Sequence, residues 1–351
     1  MTFLAQAKIA ARRAAAEALH FTGISTQIAL RSSPTWKILM YHRVTTSLEA
    51  GYLLQPGMYV RPKTFERHAA YLAESHNVIS LDELTKRLSA GEAIPSKTVC
   101  LTFDDGWLDN YTNAFPALKK YKLPATIFLA TSFIGGNDTL WTDKVAHALD
   151  ALRKNGEVVR FSKDIKDHEN MSSLVVSPIN RLVDQPSTSA VQQSIQEVIS
   201  ALQRLPAAER MDAVNALIKL AERHVELNRQ RSFISWDEAR EMAANGVTFG
   251  CHTHDHKKLT ELDDEEVLNQ VHLSQQKIMS QELKPSKVFC YPEGAWNTKS
   301  QKLLAGEGWK YALGVGKHAN LSTEPKLLPR VGIHDDITLT PGMLEFRIWV
   351  F

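Results

Sequence analysis

At 351 residues, 44% hydrophobic and 23% charged, the chain has the composition of a folded protein with apolar material for one large core or two smaller ones. With 41 Lys and Arg against 39 Asp and Glu the formal charge is +2, and there is no basic run; nothing here supports nucleic-acid binding, and none is expected. Cys100, Cys251 and Cys290 are odd in number, lack CxxC spacing and sit in apolar runs, which argues against a disulfide framework and for small buried side chains.

The chain opens with MTFLAQAKIAARRAAAEALHF, whose apolar residues are interrupted by Lys8, Arg12, Arg13 and Glu17. That pattern has no uninterrupted apolar region of a secretory signal, and no later stretch approaches the ~18 consecutive apolar residues of a membrane span. Residues 2–20 read as an Ala-rich helix with a basic face. Packing on the protein body is its expected role and peripheral contact with a membrane surface the alternative. A cytoplasmic location is the expectation.

Short apolar, β-branched runs then alternate with helical patterns. Strands are predicted at Lys37–Val44, Thr98–Asp105, Ala125–Thr131, Val247–His252, Val288–Tyr291 and Tyr311–Val315. Helices are predicted at Pro62–Glu74, Leu81–Ala90, Asn113–Tyr121, Trp236–Asn245 and Asp263–Gln281, with Ser235 and Glu238 forming a capping box. Strands separated by helices imply an α/β domain with a mostly parallel sheet. The rhythm breaks at about 150–234, where no strand is expected after Val158–Phe161. A Ser/Pro-rich stretch, Met171–Ser189, leads there into helical patterns at Val191–Leu205 and Pro206–Val225, which read as a helical insertion. The expected organisation is an N-terminal helical segment (1–35), a catalytic domain (36–335) carrying the insertion, and a C-terminal tail (336–351).

Two clusters carry chemistry. Thr102-Phe103-Asp104-Asp105-Gly106 ends an apolar strand, at the sheet edge where α/β folds place their sites. Adjacent carboxylates repel, and a divalent cation would relieve that cost; a solvated turn is the plainer alternative, since DDG is a common turn sequence. Gly250-Cys251-His252-Thr253-His254-Asp255-His256 follows another apolar strand, and His252 and His256, four apart, can converge on one ion in a helical turn while His254 faces away. Two His and one carboxylate leave open positions on a metal, as in catalytic rather than structural sites, and a spare carboxylate can take a proton from water. Metal-assisted hydrolysis follows; the substrate does not.

LTFDDG, GCHTHDH and the later Phe289-Cys290-Tyr291-Pro292-Glu293-Gly294 resemble the polysaccharide deacetylases of the NodB-homology type, carbohydrate esterase family 4, over about Lys37 to Arg330. The resemblance implies a distorted (β/α) barrel and removal of an acetyl group from an N-acetylated sugar. It implies Asp104 as catalytic base, Asp105, His252 and His256 as ligands of zinc or another first-row divalent metal, and Thr253 as a brace of the histidine loop. Two departures stand out. The arginine common in the third motif is missing, Glu293 replaces an aromatic residue, and Arg330 is the candidate substitute partner for Asp104. Tyr291 and Pro292 would still shape the site, and the Glu293 backbone N–H could help hold an oxyanion. The second departure concerns the general acid. Ile38-Leu39-Met40-Tyr41-His42-Arg43-Val44 is similar to the start of a circularly permuted subgroup that includes poly-N-acetylglucosamine deacetylases, which makes His42 the expected acid and His334 the alternative. Trp107 and Trp141 are candidates for stacking on sugar rings. The rival readings are a C–N hydrolase of a small amide or formylated lipid-linked sugar, and a catalytically degenerate glycan-binding protein.

Overall fold

The computed structural model describes residues 3–166, 169–183, 185, 187–227, 230–314 and 322–350. Outside them lie Thr2 and Val315, the expected ends of a helix and a strand, residues 1 and 351 of the expected terminal segments, and a few positions of the expected insertion. The chain divides into two compact units: Thr46–Pro56 and Asp138–Gln230 belong to one, and Leu4–Thr45, Gly57–Asn137 and Arg231–Phe351 form the other.

The larger unit carries all the described strands: β1 Trp36–Tyr41, β2 Arg43–Val44, β3 Tyr59–Val60, β4 Asn77–Val78, β5 Thr98–Asp105, β6 Ala125–Leu129, β7 Val247–Cys251, β8 Val288–Cys290, β9 Tyr311–Leu313, β10 Lys326–Leu328 and β11 Arg330–Gly332. One sheet runs β11-β1-β5-β6-β7 with β4 beside the start of β5, a second runs β10-β9-β8, and β2 pairs with β3; every strand pairing is parallel. A parallel bridge between Phe249 and Pro285 begins the second sheet alongside β7. Trp36 and Ile38 of β1, Cys100 of β5, Phe128 of β6 and Cys290, Leu313 and Leu328 of β8–β10 pack into one cluster with Leu81 and Leu84 of the helix Leu81–Ala90. Residues from both ends of the strand order share one interior, the signature of a sheet curled into a distorted (β/α) barrel. The first strand of the chain, β1, lies between the last, β11, and β5.

All eight residues of β5 are buried, as a parallel strand covered on both faces requires. Alternation puts Cys100, Thr102 and Asp104 on the inner face. Phe103 points outward, where it stacks on Tyr41 (5.2 Å between centroids) and meets Phe65 of the helix Pro62–Ser75. That parity is what aims Asp104 into the barrel.

The predicted strand Lys37–Val44 is broken at His42, because the Arg43 N–H is taken by the Met58 carbonyl as β2 turns aside to pair with β3. β10 and β11, three residues each, are too short to show a period. Residues 336–351, expected as a tail, include a packed helix, Pro341–Trp349, capped by Thr340 and burying Leu344 and Ile348. No helix among the described residues is long and apolar enough to cross a membrane.

The smaller unit is helical among its described residues: Ser47–Ala50, Trp141–Lys154, Val158–Lys166, Glu169–Asn180, Thr188–Gln203 and Ala207–Ala221. Val158–Phe161 is not the expected strand but the first turn of a helix. The buried Val158, Phe161, Ser162 and Ile165 follow a helical period that the β-branched pair Val158-Val159 masks. The first ten residues of the Ser/Pro-rich stretch are helical as well, with Pro178 inside the helix and Val175, Ile179 and Leu182 buried at helical spacing. Residues 46–56 are tied to these helices by Asp150, which accepts the Leu53 N–H at 3.1 Å, and by Gln192, which donates to the Leu54 carbonyl at 2.6 Å.

Candidate active site

β5 delivers Asp104 and Asp105 to its C-terminal end, and Gly106 follows with φ +89°. A Cβ there would lie 2.6 Å from Leu129 and 2.9 Å from Ile134, so only glycine lets the chain turn under β6. Gly250 of β7 sits opposite Phe128, whose ring would be 2.5 Å from an added Cβ. The close approach brings the loop His252–His256 over the end of β5. Asp105, Thr253 and His256 all hold positive φ (76°, 62° and 56°), which costs roughly 1–3 kcal/mol for each non-glycine residue and clusters where a site dictates geometry.

At this corner Asp105 Oδ1 lies 3.2 Å from His256 Nε2 and 3.5 Å from His252 Nε2. The other carboxylate oxygen, Oδ2, accepts the Trp107 indole N–H at 2.8 Å, whereas buried Oδ1 has no hydrogen-bond partner among the described residues. His252 Nδ1 donates to the Cys290 carbonyl at 2.9 Å; a carbonyl can only accept, so the proton sits on Nδ1 and the Nε2 lone pair faces Asp105. The three ligand atoms lie within 4.8 Å of one another. An orphaned buried carboxylate oxygen flanked by two imidazole nitrogens is costly without a cation, and the N,N,O donor set suits a first-row divalent metal.

The electrostatics agree. Burial would raise the Asp105 carboxyl, but His256, 3.2 Å from Oδ1, with His42 and His252, holds it below the carboxylate range. Burial pushes His252 down to about 4 despite Asp104, which keeps it neutral at physiological pH. For His256 burial is outweighed by Asp105, and its pKa rises.

Asp104 lies beside this corner. Arg330, buried on β11, grips it from both sides: Nη1 donates to Oδ1 at 2.7 Å and Nη2 to Oδ2 at 2.8 Å. His42 Nε2 is 3.8 Å from Oδ2, and the Cys290 thiol is 3.7 Å from Oδ1. Cys290 thus occupies the third-motif position of the missing arginine, while a guanidinium reaches Asp104 from a different strand. Burial would raise the Asp104 carboxyl; Arg330, His252 and His42 overcome it and keep the group ionised. The structure therefore gathers Asp104, Asp105, His42, His252, His256 and Arg330 at one end of the barrel. His334, the alternative acid, ends up paired with Asp336.

The supporting residues divide. Tyr291 is buried with its ring against Phe289 (5.2 Å), and buried Pro292 starts a turn in which Glu293 has φ 54°. The buried Thr253 hydroxyl has no partner among the described residues, so any bracing comes from the backbone, where the Thr253 carbonyl accepts the Thr131 N–H at 3.4 Å. His254 turns away to Thr131 Oγ1 at 2.9 Å. Trp107 is no platform for a sugar: it is 1% exposed, stacked on Phe233 (4.5 Å) and covered by the Arg43 guanidinium (4.4 Å). Trp141 belongs to the smaller unit, where Arg210 lies over its ring. Arg43, Asp109 and Asn110, close around His42 and Trp107, escape the sequence reading; a polar Asp-Asn pair four residues beyond Asp105, ahead of the apolar Phe115–Tyr121 helix, is the signal that marks them.

The sequence model of the polysaccharide deacetylase family matches residues 91–205 and 207–312, more than half of the chain. The poly-β-1,6-N-acetyl-D-glucosamine N-deacetylase of Staphylococcus epidermidis is 32% identical over 168 residues, covering 38% of this chain and 57% of that protein. The chain spans about half the length of the curated relatives it matches. Among solved structures, the Streptococcus pyogenes deacetylase PplD superposes with a TM-score of 0.55 at 18% identity, over 89% of this chain and 97% of that one. IcaB from Ammonifex degensii superposes with a TM-score of 0.53 at 16% identity, over 88% and 96%. At such identities the two structures show the shared fold.

Proposed function

This chain belongs to the polysaccharide deacetylase family, and on that premise we propose that it removes N-acetyl groups from an N-acetylated sugar of a polysaccharide or glycan precursor. The observation that carries the reading is the adjacency of two differently partnered carboxylates. Each oxygen of Asp104 accepts one hydrogen bond from Arg330, and Asp105 keeps one oxygen open toward His252 and His256. Asp105, His252 and His256 would hold the metal, zinc or another first-row divalent ion. When bound, such an ion supplies a Lewis acid that polarises the acetyl carbonyl and acidifies the attacking water.

The chain's own groups do the rest. Arg330 fixes the Asp104 carboxylate in the plane of its guanidinium, and the Oδ2 edge facing His42 takes the water's proton. His42, in its protonated form, donates to the sugar nitrogen as the C–N bond breaks, since an amine anion is too poor a leaving group to depart alone. Acetic acid and a free amino sugar result, and the proton on Asp104 returns to His42 across the 3.8 Å between Oδ2 and Nε2. The Glu293 backbone N–H is the candidate donor to the oxyanion.

The acid role is testable by changing the leaving group. His42→Gln is expected to lose about 10²–10⁴-fold in acetate release from N-acetylglucosamine oligomers, yet to keep most of its activity on an aryl acetate, whose phenolate leaves without a proton. Equal losses on both substrates would remove His42 from the acid role. Acetate release that is absent at every oligomer length would move the reading to a small amide or a formylated lipid-linked sugar.

A further inference from the structure

We propose that Arg43 and Asp109 are positioning residues that act through Trp107 on the Asp105 carboxylate, an inference that rests on the metal-holding role proposed for Asp105. The contacts form an unbroken series. Asp109 Oδ1 accepts the Val44 backbone N–H at 2.6 Å, and its Oδ2 accepts Arg43 Nε at 2.9 Å. Both residues are buried, so the pair is held in one geometry with little competition from water. The guanidinium so fixed lies 4.4 Å from the centre of the Trp107 ring, and Phe233 stacks on the same indole at 4.5 Å and 20°. The clamped ring aims its Nε1–H at Asp105 Oδ2, 2.8 Å away.

The choice of ring has a chemical consequence. Indole is a donor with no acceptor, so it engages one carboxylate oxygen and cannot bind the metal itself. With Oδ2 taken, Asp105 presents only Oδ1 to the imidazoles of His252 and His256. A partial rotation of the carboxylate away from this orientation would break the Trp107 hydrogen bond. The same group also reaches His42. Arg43 and Val44 follow it directly in β2, and Asn110, next to Asp109, donates to the His42 carbonyl at 2.8 Å. Asp109 and Asn110 thus hold the chain at the carbonyl of the proposed acid and at the two residues that follow it, and Asn110 opens a π-helical turn, Asn110–Ala114, of a kind that recurs at functional sites. A clamp serving stability alone would need the ring but not its N–H.

That distinction sets the test. Zinc is titrated calorimetrically into the metal-free chain for the wild type, Trp107→Phe and Arg43→Lys, with a thermal melt of each protein. Trp107→Phe keeps a ring for Arg43 and Phe233 and removes only the donor to Asp105. It is expected to bind zinc roughly 10–100-fold more weakly, as loss of a partner behind a metal ligand does, with a melting temperature close to that of the wild type. Arg43→Lys keeps the charge but not the planar stack, and its affinity is expected to fall in the same direction, by about tenfold. Unchanged zinc affinity in Trp107→Phe would overturn the proposal, and so would a loss that follows the loss of folded protein. Should Arg43→Lys fail to fold, Trp107→Phe decides alone. The titration needs no substrate, so a wild-type chain that binds zinc but releases no acetate contradicts the proposed reaction and leaves this inference standing. A wild-type chain that binds no zinc contradicts both.

Discussion

Asp104→Asn is expected to abolish acetate release, by ~10³-fold or more, while zinc still binds at the neighbouring corner; a general base contributes about 10²–10⁴-fold, and in the proposed reaction the same side chain also orients the attacking water. The substitution has a second effect that must be separated from the first. Asp104 neutralises Arg330, a guanidinium buried on β11, and removing one partner of a buried pair costs on the order of 3–5 kcal/mol because the other charge stays unpaired. Asp104→Asn should therefore melt earlier than the wild type. The double variant Asp104→Asn/Arg330→Gln removes both charges and should recover much of the lost stability but none of the turnover. Acetate assays with melts on all three proteins read the two effects independently. Turnover returning with stability would mean that Asp104 is a structural anchor of the barrel end.

The second large effect is expected at His256. His256→Ala should weaken zinc binding by at least ~10²-fold, since a three-residue donor set cannot lose one ligand and keep a defined geometry. The same variant removes the imidazole that lies 3.2 Å from Asp105 Oδ1 and holds that carboxyl low, so in the metal-free protein the Asp105 pKa should rise. In the metal-free wild type the sign at the imidazole is opposite: Asp105 raises the His256 pKa, so a metal must displace that proton, and zinc affinity should fall as pH drops below the His256 pKa. Calorimetric titrations at several pH values, in buffers of different ionisation enthalpy, count the protons released. Zinc affinity that is independent of pH between 6 and 8 would argue against His256 as a ligand.

Much of this arrangement is legible in the sequence, for physical reasons that differ from residue to residue. Asp104 and Asp105 end an eight-residue strand whose first six residues are largely apolar, and a buried parallel strand that long leaves a clear signal. The histidine loop is legible because three imidazoles in five residues have no packing explanation. Arg330 is legible only as a candidate. Its strand has three residues, and nothing in Leu328-Pro329-Arg330 announces that β11 lies next to β1 and within reach of Asp104. Trp107 misleads: an aromatic residue next to a catalytic motif looks like a sugar platform, yet Arg43 and Phe233 cover it and it spends its N–H on Asp105. Val158–Phe161 misleads in another way, since four residues cannot separate a strand from the first turn of a helix. Contacts among residues distant in sequence, such as Arg43 with Trp107, are set by the barrel and have no local signature.

The proposed reaction is a metal-dependent N-deacetylation carried by the corner of Asp104, Asp105, His252 and His256. It is tested by acetate release from N-acetylglucosamine oligomers by the chain stripped of metal and then reloaded with zinc. No acetate above background is expected from the stripped protein, and stoichiometric zinc is expected to restore turnover. Equal acetate release with and without metal would contradict it.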